Sequence, residues 1–216
     1  MATVSHIVNK LVDDKIYLRE SVSKGIASYG SVAKHLKPEI ENELGKPVEH
    51  FAIVAALRRY GEKVEQRTKD IKFNTKSSEV NLKTNIIDIN VLKTQGIFDK
   101  LKRIYDVIDF ERGDILHIIY GRNSVTIVTN QRYKDQIYKF LQNEKINNTK
   151  EELVALSFTI GKELIDVPGV LSQIIRNFAW ENINIIEIIS IDLEMTFIVK
   201  EKDAIRGYQV LQQLIM

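Results

Sequence analysis

Residues 161–171, Gly161-Lys162-Glu163-Leu164-Ile165-Asp166-Val167-Pro168-Gly169-Val170-Leu171, combine types suited to holding a small molecule with backbone groups. An apolar run from Leu153 to Ile160 leads in, and a helical pattern leaves from Val170. A turn between strand and helix exposes the first N–H groups of the helix, and these attract anions such as a carboxylate. Gly169 lets backbone approach a ligand without a Cβ, and Pro168 stiffens the entry to the helix. Asp166 could accept from an ammonium group. Asn182 and Asn184, around Ile183, offer amides at the start of the next strand. Donors for a carboxylate and acceptors for an ammonium are the two halves of an amino-acid site. The expected lining is Ile165, Asp166, Val167, Pro168, Gly169 and Val170, with Asn182, Ile183 and Asn184. The same residues also suit a purely structural corner, with Asp166 as a helix cap.

Little else in the chain reads as chemistry. His6, His35, His50 and His117 are scattered, without metal-ligand spacing. Nucleophile elbow, P-loop and dinucleotide fingerprint are absent from the sequence, so neither a metal nor a cofactor is expected. Asp88, Asp106, Asp109, Glu111 and Asp114 read as an acidic scatter around loops. Trp180 ends an apolar helix face and suits either core or ligand. With no nucleophile beside a base and no paired acids, an enzyme is not expected.

The elements that must position the corner begin with a helical front. Across 216 residues, 44% hydrophobic and 28% charged, the composition is that of an ordinary soluble protein. No cysteine and no signal-peptide pattern suit a cytoplasmic location. Residues 1–76 carry a net +4, 77–150 +3 and 151–216 −5, so the two ends suit different partners. Helices are expected over 5–28 with Ser5 as cap, over Ser31–Leu36 with Ser31 as cap, over Pro38–Leu44 ended by Gly45, and onward from Pro47. Short helices of this kind, ending in a basic one, look like a helix-turn-helix module over residues 1–72. Arg58, Arg59, Lys63 and Arg67 would then touch DNA phosphates; a docking or dimerisation unit is the alternative. Residues 73–83 read as a linker.

From residue 84 the same βαββα pattern occurs twice. The first copy, 84–145, has a strand from Ile86 to Leu92, the turn Thr94-Gln95-Gly96, a helix from Ile97, two strands around Gly121-Arg122-Asn123, and a helix from Tyr133 to Leu141. The second, 151–216, repeats the order, with Gly169 opposite Gly96. Thr94, Gln95, Gly96 and Ile97 form a weaker candidate ligand site, lacking the proline and the asparagines.

Val154-Ala155-Leu156-Ser157-Phe158-Thr159-Ile160-Gly161, then Val167-Pro168-Gly169-Val170-Leu171, Asn182-Ile183-Asn184-Ile185 and Met195-Thr196-Phe197-Ile198-Val199, resemble an ACT domain of the aspartokinase type. The whole chain is similar to archaeal predicted regulators of amino-acid metabolism. The resemblance implies an α+β fold, a helical domain followed by two ferredoxin-like repeats with antiparallel sheets. It also implies an effector, an amino acid or relative, at the corner. Two outputs follow: transcriptional regulation through DNA, or a subunit docking on a biosynthetic enzyme without DNA contact. ACT domains carry a fourth strand after the second helix, and here the chain stops after it. Ile146-Asn147-Asn148-Thr149-Lys150 reads as too polar to supply that strand. Each three-stranded sheet should then expose an edge that pairs between repeats or between chains, making a dimer.

Overall fold

The computed structural model describes residues 3–64, Phe73 and 79–215. The chain forms two compact units, Met1–Asp70 and Ile71–Met216.

The first unit is helical: α1 (Val4–Asp14), α2 (Ile16–Ser23), α3 (Tyr29–Leu44) and α4 (His50–Val64). Ile7, Leu11, Leu36, Ile40, Ile53 and Leu57 form its core. The caps fall earlier than expected. The Thr3 hydroxyl accepts from the His6 N–H at 3.2 Å, and Ser28 accepts from Ser31 at 3.4 Å. The expected break before Pro38 does not occur, and Ser31–Leu36 and Pro38–Leu44 are parts of one helix. A proline inside a helix costs about 3 kcal/mol. Leu36 and Ile40, both fully buried on either side of it, offset that cost. Gly45 ends α3 in the left-handed region, at φ 66°.

The second unit carries one antiparallel sheet of six strands: β1 (Val80–Leu92), β2 (Leu116–Tyr120), β3 (Ser124–Asn130), β4 (Ile146–Thr159), β5 (Ile185–Ile191) and β6 (Glu194–Lys200). Their order is β2-β3-β1-β4-β6-β5. Helices α5 (Ile97–Tyr105), α6 (Lys134–Phe140), α7 (Val170–Trp180) and α8 (Ala204–Ile215) complete the βαββα order in each copy.

The expected missing fourth strands are present, built by lengthening the first ones. Ile146–Lys150, read as too polar, is the start of β4 and pairs with β1 from Val91 to Asp88. Val80–Lys83, read as linker, is the start of β1 and pairs with β4 from Phe158 to Ala155. Each copy thus lends its first strand to the other as a fourth. The pairing is between repeats, within one chain, and leaves β2 and β5 as the outer strands of the sheet. Asn85 and Glu152, at φ 55° and 54°, kink the two long strands at matching positions. Such a bulge re-aims a strand where it changes partners.

Alternation along the strands fixes the two faces. Ile87, Ile89 and Val91 pack on α5 and α6 residues, while Val154, Leu156 and Phe158 share a core with α7 and α8. Gly207 lets α8 approach the sheet, since a Cβ there would lie 2.7 Å from Leu156 Cδ1. The other face gathers Ile86, Val128, Leu153, Ile189 and Ile198. Outer strands β2 and β5 line one shared groove on the molecule. Two strands so far apart in the order can do this only because the sheet is strongly curled.

Candidate functional site

The corner after β4 is tied down at its first residue. The Ile160 N–H donates to the carbonyl of Leu193 at 2.8 Å. Leu193 sits in the two-residue turn between β5 and β6, so this bond brings the hairpin tip against the corner. Gly161 is extended, and a tight turn over Lys162–Leu164 buries Leu164 in the core. The Val167 N–H closes on the Leu164 carbonyl at 3.2 Å. Gly169 then stands at φ 97°, a left-handed conformation that costs glycine little, and α7 begins. The first backbone bond of the helix runs from Gln173 N–H to the Gly169 carbonyl at 2.9 Å. The amides of Val170, Leu171 and Ser172 precede it and have no intrahelical acceptor.

A pocket of about 320 Å³ lies here, lined by the corner, by Ser190 and Asp192 of the hairpin, and by Met195. That volume sits at the lower end of small-molecule pockets, which run from ~300 to ~1,000 Å³. Val170 and Leu171, at the start of α7, share this lining with Ser190 and Asp192, which carry a hydroxyl and a carboxylate. Ile165, Val167 and Leu171, 48%, 37% and 39% exposed, form an apolar rim. The arrangement can take a carboxylate on the helix end, an ammonium on Asp192 and an aliphatic body on the rim.

Of the expected lining, Ile165, Val167, Gly169 and Val170 are in the pocket. Asp166 and Pro168 are exposed and outside the lining. Asn182, Ile183 and Asn184 are not part of it either. They follow the other end of α7, about 16 Å away for 11 residues at ~1.5 Å each. Asn182 has a different task. At φ 54° it closes the helix, its N–H donating to Ala179 while Ile183 donates to Phe178. Asparagine is the usual substitute for glycine at that left-handed position. Ile183 is a core residue.

The equivalent corner of the first copy is filled by its own chain. The Thr94 hydroxyl donates to Glu144 at 2.9 Å, and Lys100 pairs with the same carboxylate at 2.8 Å. These bonds, that of Lys100 foremost, hold the Glu144 carboxyl below the usual carboxylate range. Ile97 is fully buried, while Gln95 and Gly96 are exposed.

The remaining candidates are dispersed. Arg58, Arg59 and Lys63 are exposed on α4, and Arg67 lies outside the described residues. Trp180 is 81% exposed, at the opposite end of α7 from the pocket. Asp88 and Asp114 are not in solvated loops. Both are buried, Asp114 against Arg132 and the Tyr133 hydroxyl, and Asp88 inside β1. No cluster among the described residues could hold a metal ion. No helix among them is long and apolar enough to cross a membrane.

The second unit is an antiparallel sheet of two βαββα halves with helices on one face. Solved structures of aspartate kinase regulatory subunits share it. That of Thermus thermophilus, in its ligand-free form, matches over 63% of this chain and 97% of its own, at 14% identity and a TM-score of 0.50. The subunit of Thermus flavus matches over 62% and 95%, at 17% identity and 0.51. The aspartate kinase of Clostridium acetobutylicum, described as an allosteric enzyme, matches over 70% of this chain and 37% of its own, at 16% identity and 0.55. At these identities the likeness is one of fold. No protein-family model matches the sequence, and no curated protein matches it significantly.

Proposed function

We propose that this chain is a regulatory protein that senses an amino acid at the corner 160–171, and not an enzyme. The observation that carries this reading is the pocket of about 320 Å³ in which Gly169, Val170 and Leu171 at the start of α7 share the lining with Ser190 and Asp192. The shared fold with aspartate kinase regulatory subunits supports it. A bound effector bridges the α7 N-terminus and the β5–β6 turn, and so clamps two elements otherwise joined at this point by the Ile160–Leu193 bond. Regulation requires that the effector bind two states of the protein with different affinity. The clamped and unclamped hairpin are those states. A thermal-shift screen over the amino acids tests the reading, since a ligand at 100 times its Kd stabilises by about 2.7 kcal/mol. The expected result is a shift with one amino acid or a close relative, lost in Asp192→Asn. No shift with any of them at millimolar concentration sinks the reading.

The output runs through the helical unit, docking on a biosynthetic enzyme or on DNA. Exposed Arg58, Arg59 and Lys63 on α4 favour a phosphate-bearing partner as the second reading. Affinity for duplex DNA that falls steeply with salt supports it, and salt-independent or absent binding leaves the docking subunit.

A further inference from the structure

A second cleft, of about 550 Å³, opens beside the kink in β1, away from the Gly161–Leu171 corner. Its charged lining is Lys83, Arg112 and Arg132 against Asp114. Asp114 is already engaged. It is buried, ion-paired with Arg132, and accepts from the Tyr133 hydroxyl at 2.5 Å. Lys83 donates to the carbonyl of Gly113, a neutral acceptor. Arg112 forms no ion pair among the described residues, and its side chain is exposed. The lining therefore carries an uncompensated charge of two. Glu151, which accepts from Gln131 at the rim, is neutralised by Lys134 at 2.6 Å.

Two polar features face the same space. Asn130 accepts from the Ile115 N–H at 3.0 Å through its side-chain oxygen, which leaves its amide as a donor. Thr84 and Asn85 fall in the register break between Lys83 and Ile86, so they add polar groups outside the β1–β4 ladder.

The second copy shows that the fold does not require this charge. Ile86 pairs with Asn130 as Leu153 pairs with Lys200, and both strands kink just before that pair. The residues matching 83–85 and 130–132 are therefore 150–152 and 200–202. In the first copy these six positions hold Lys83 and Arg132 and no acid. In the second they hold Lys150, Lys200 and Lys202 with Glu151, Glu152 and Glu201, which cancel. One backbone arrangement is charge-balanced in one copy and cationic in the other.

We propose that the cleft beside Lys83, Arg112 and Arg132 binds a small organic dianion, with the chemistry shared by phosphate monoesters and dicarboxylates. A phosphate monoester carries close to two negative charges at neutral pH, as a dicarboxylate does. Arg112 supplies a planar fork for either, and Lys83 a point charge. The site is separate from the corner pocket and stands whether or not the corner takes an amino acid.

Calorimetric titration of the full-length protein at low salt tests this, with inorganic phosphate, glycerol phosphate and succinate as probes and acetate and glycerol as controls. The expected result is saturable binding of at least one dianion, weakened tenfold or more by Arg112→Ala and by 0.5 M salt. The phosphate and succinate arms separate the two sources. Lys83→Gln, on another element, gives the same loss if Arg112→Ala proves unstable. Asp192→Asn leaves this binding unchanged, which separates the cleft from the corner. Absence of saturable dianion binding overturns the proposal, as does binding that both cleft variants leave within twofold.

Discussion

Asp88 is the place where the second unit works against its own stability, and Asp88→Asn measures by how much. Its carboxyl lies on the helix-free side of β1, alongside Ile86, and is 2% exposed. Among the described residues one oxygen, Oδ2, has no hydrogen-bond partner, and Lys150 Nζ stands 4.0 Å away. Glu187 of β5 faces it. Burial pushes both carboxyls above their usual range, and the Asp88 charge pushes Glu187 further, while Lys150 opposes both shifts. A carboxyl whose folded-state pKa is raised contributes stability that is fully present below its unfolded value, near 4. That contribution is lost as pH rises through the folded value. At neutral pH the pair is thus a net cost. Asparagine keeps the shape, removes one charge and can donate to Glu187.

An unsatisfied buried polar group costs about 1–3 kcal/mol, and Lys150 offsets part of this, so a gain of about 1–2 kcal/mol is expected. For a chain of this size each kcal/mol moves the melting temperature by about 2–4 °C. Thermal unfolding of the wild type, Asp88→Asn and Glu187→Gln between pH 4 and pH 8 is the assay. Both variants should melt several degrees higher at pH 7.5, and the gap should close as the pH approaches 4. A variant less stable at pH 7.5, or a gap that does not depend on pH, refutes the reasoning.

Further perturbations test the corner and the packing around it. Gly169→Ala forces a side chain into a left-handed conformation at φ 97° and should destabilise by about 1 kcal/mol while abolishing any effector-induced thermal shift. Gly207→Ala, whose Cβ would meet Leu156 at 2.7 Å, should cost about 1–3 kcal/mol by chemical denaturation, and an unchanged midpoint would contradict the packing. Glu144→Gln should weaken the Lys100 and Thr94 contacts. Because its carboxyl is held low, the difference from wild type should be largest above about pH 5 and vanish as pH falls through its native value. Pro38→Ala should stabilise the helical unit by restoring a backbone donor inside α3, by about 1–3 kcal/mol, measured as a rise in its melting temperature.

The βαββα order was legible because each helix and strand carries its own period. Ile97, Leu101 and Ile104 recur at helical spacing, and Ile87, Ile89 and Val91 alternate. The true length of the long strands was not. At the start of β1 and of β4 the residues are Asn81, Lys83, Asn147, Asn148 and Lys150. Apolar alternation reports a buried face, and each of these ends holds its place by backbone pairing with the later part of the other long strand instead. The same limit hid the helical unit's continuity at Pro38, since tertiary burial of Leu36 and Ile40 overrides a local breaker.

The corner itself was half legible for a related reason. Ile165, Val167, Gly169 and Val170 are local to one turn, and their types alone suggest it. Ser190 and Asp192 arrive through a hairpin some twenty residues later, brought there by the β4–β6 ladder and the Ile160–Leu193 bond that extends it. The asparagines misled because a strand that follows a helix starts at the far end of that helix, so the strand's end, not its start, meets the corner.

The two copies divide their work in opposite ways. In the first, Glu144 occupies the corner and the kink is cationic; in the second, the corner is open and the kink is charge-balanced. Because each copy completes the other's sheet, neither can move its first strand alone. Val80–Lys83 of β1 pair with Ala155–Phe158 of β4, and β4 leads directly into the open corner. The cationic kink and the open corner therefore lie along the same β1–β4 backbone ladder.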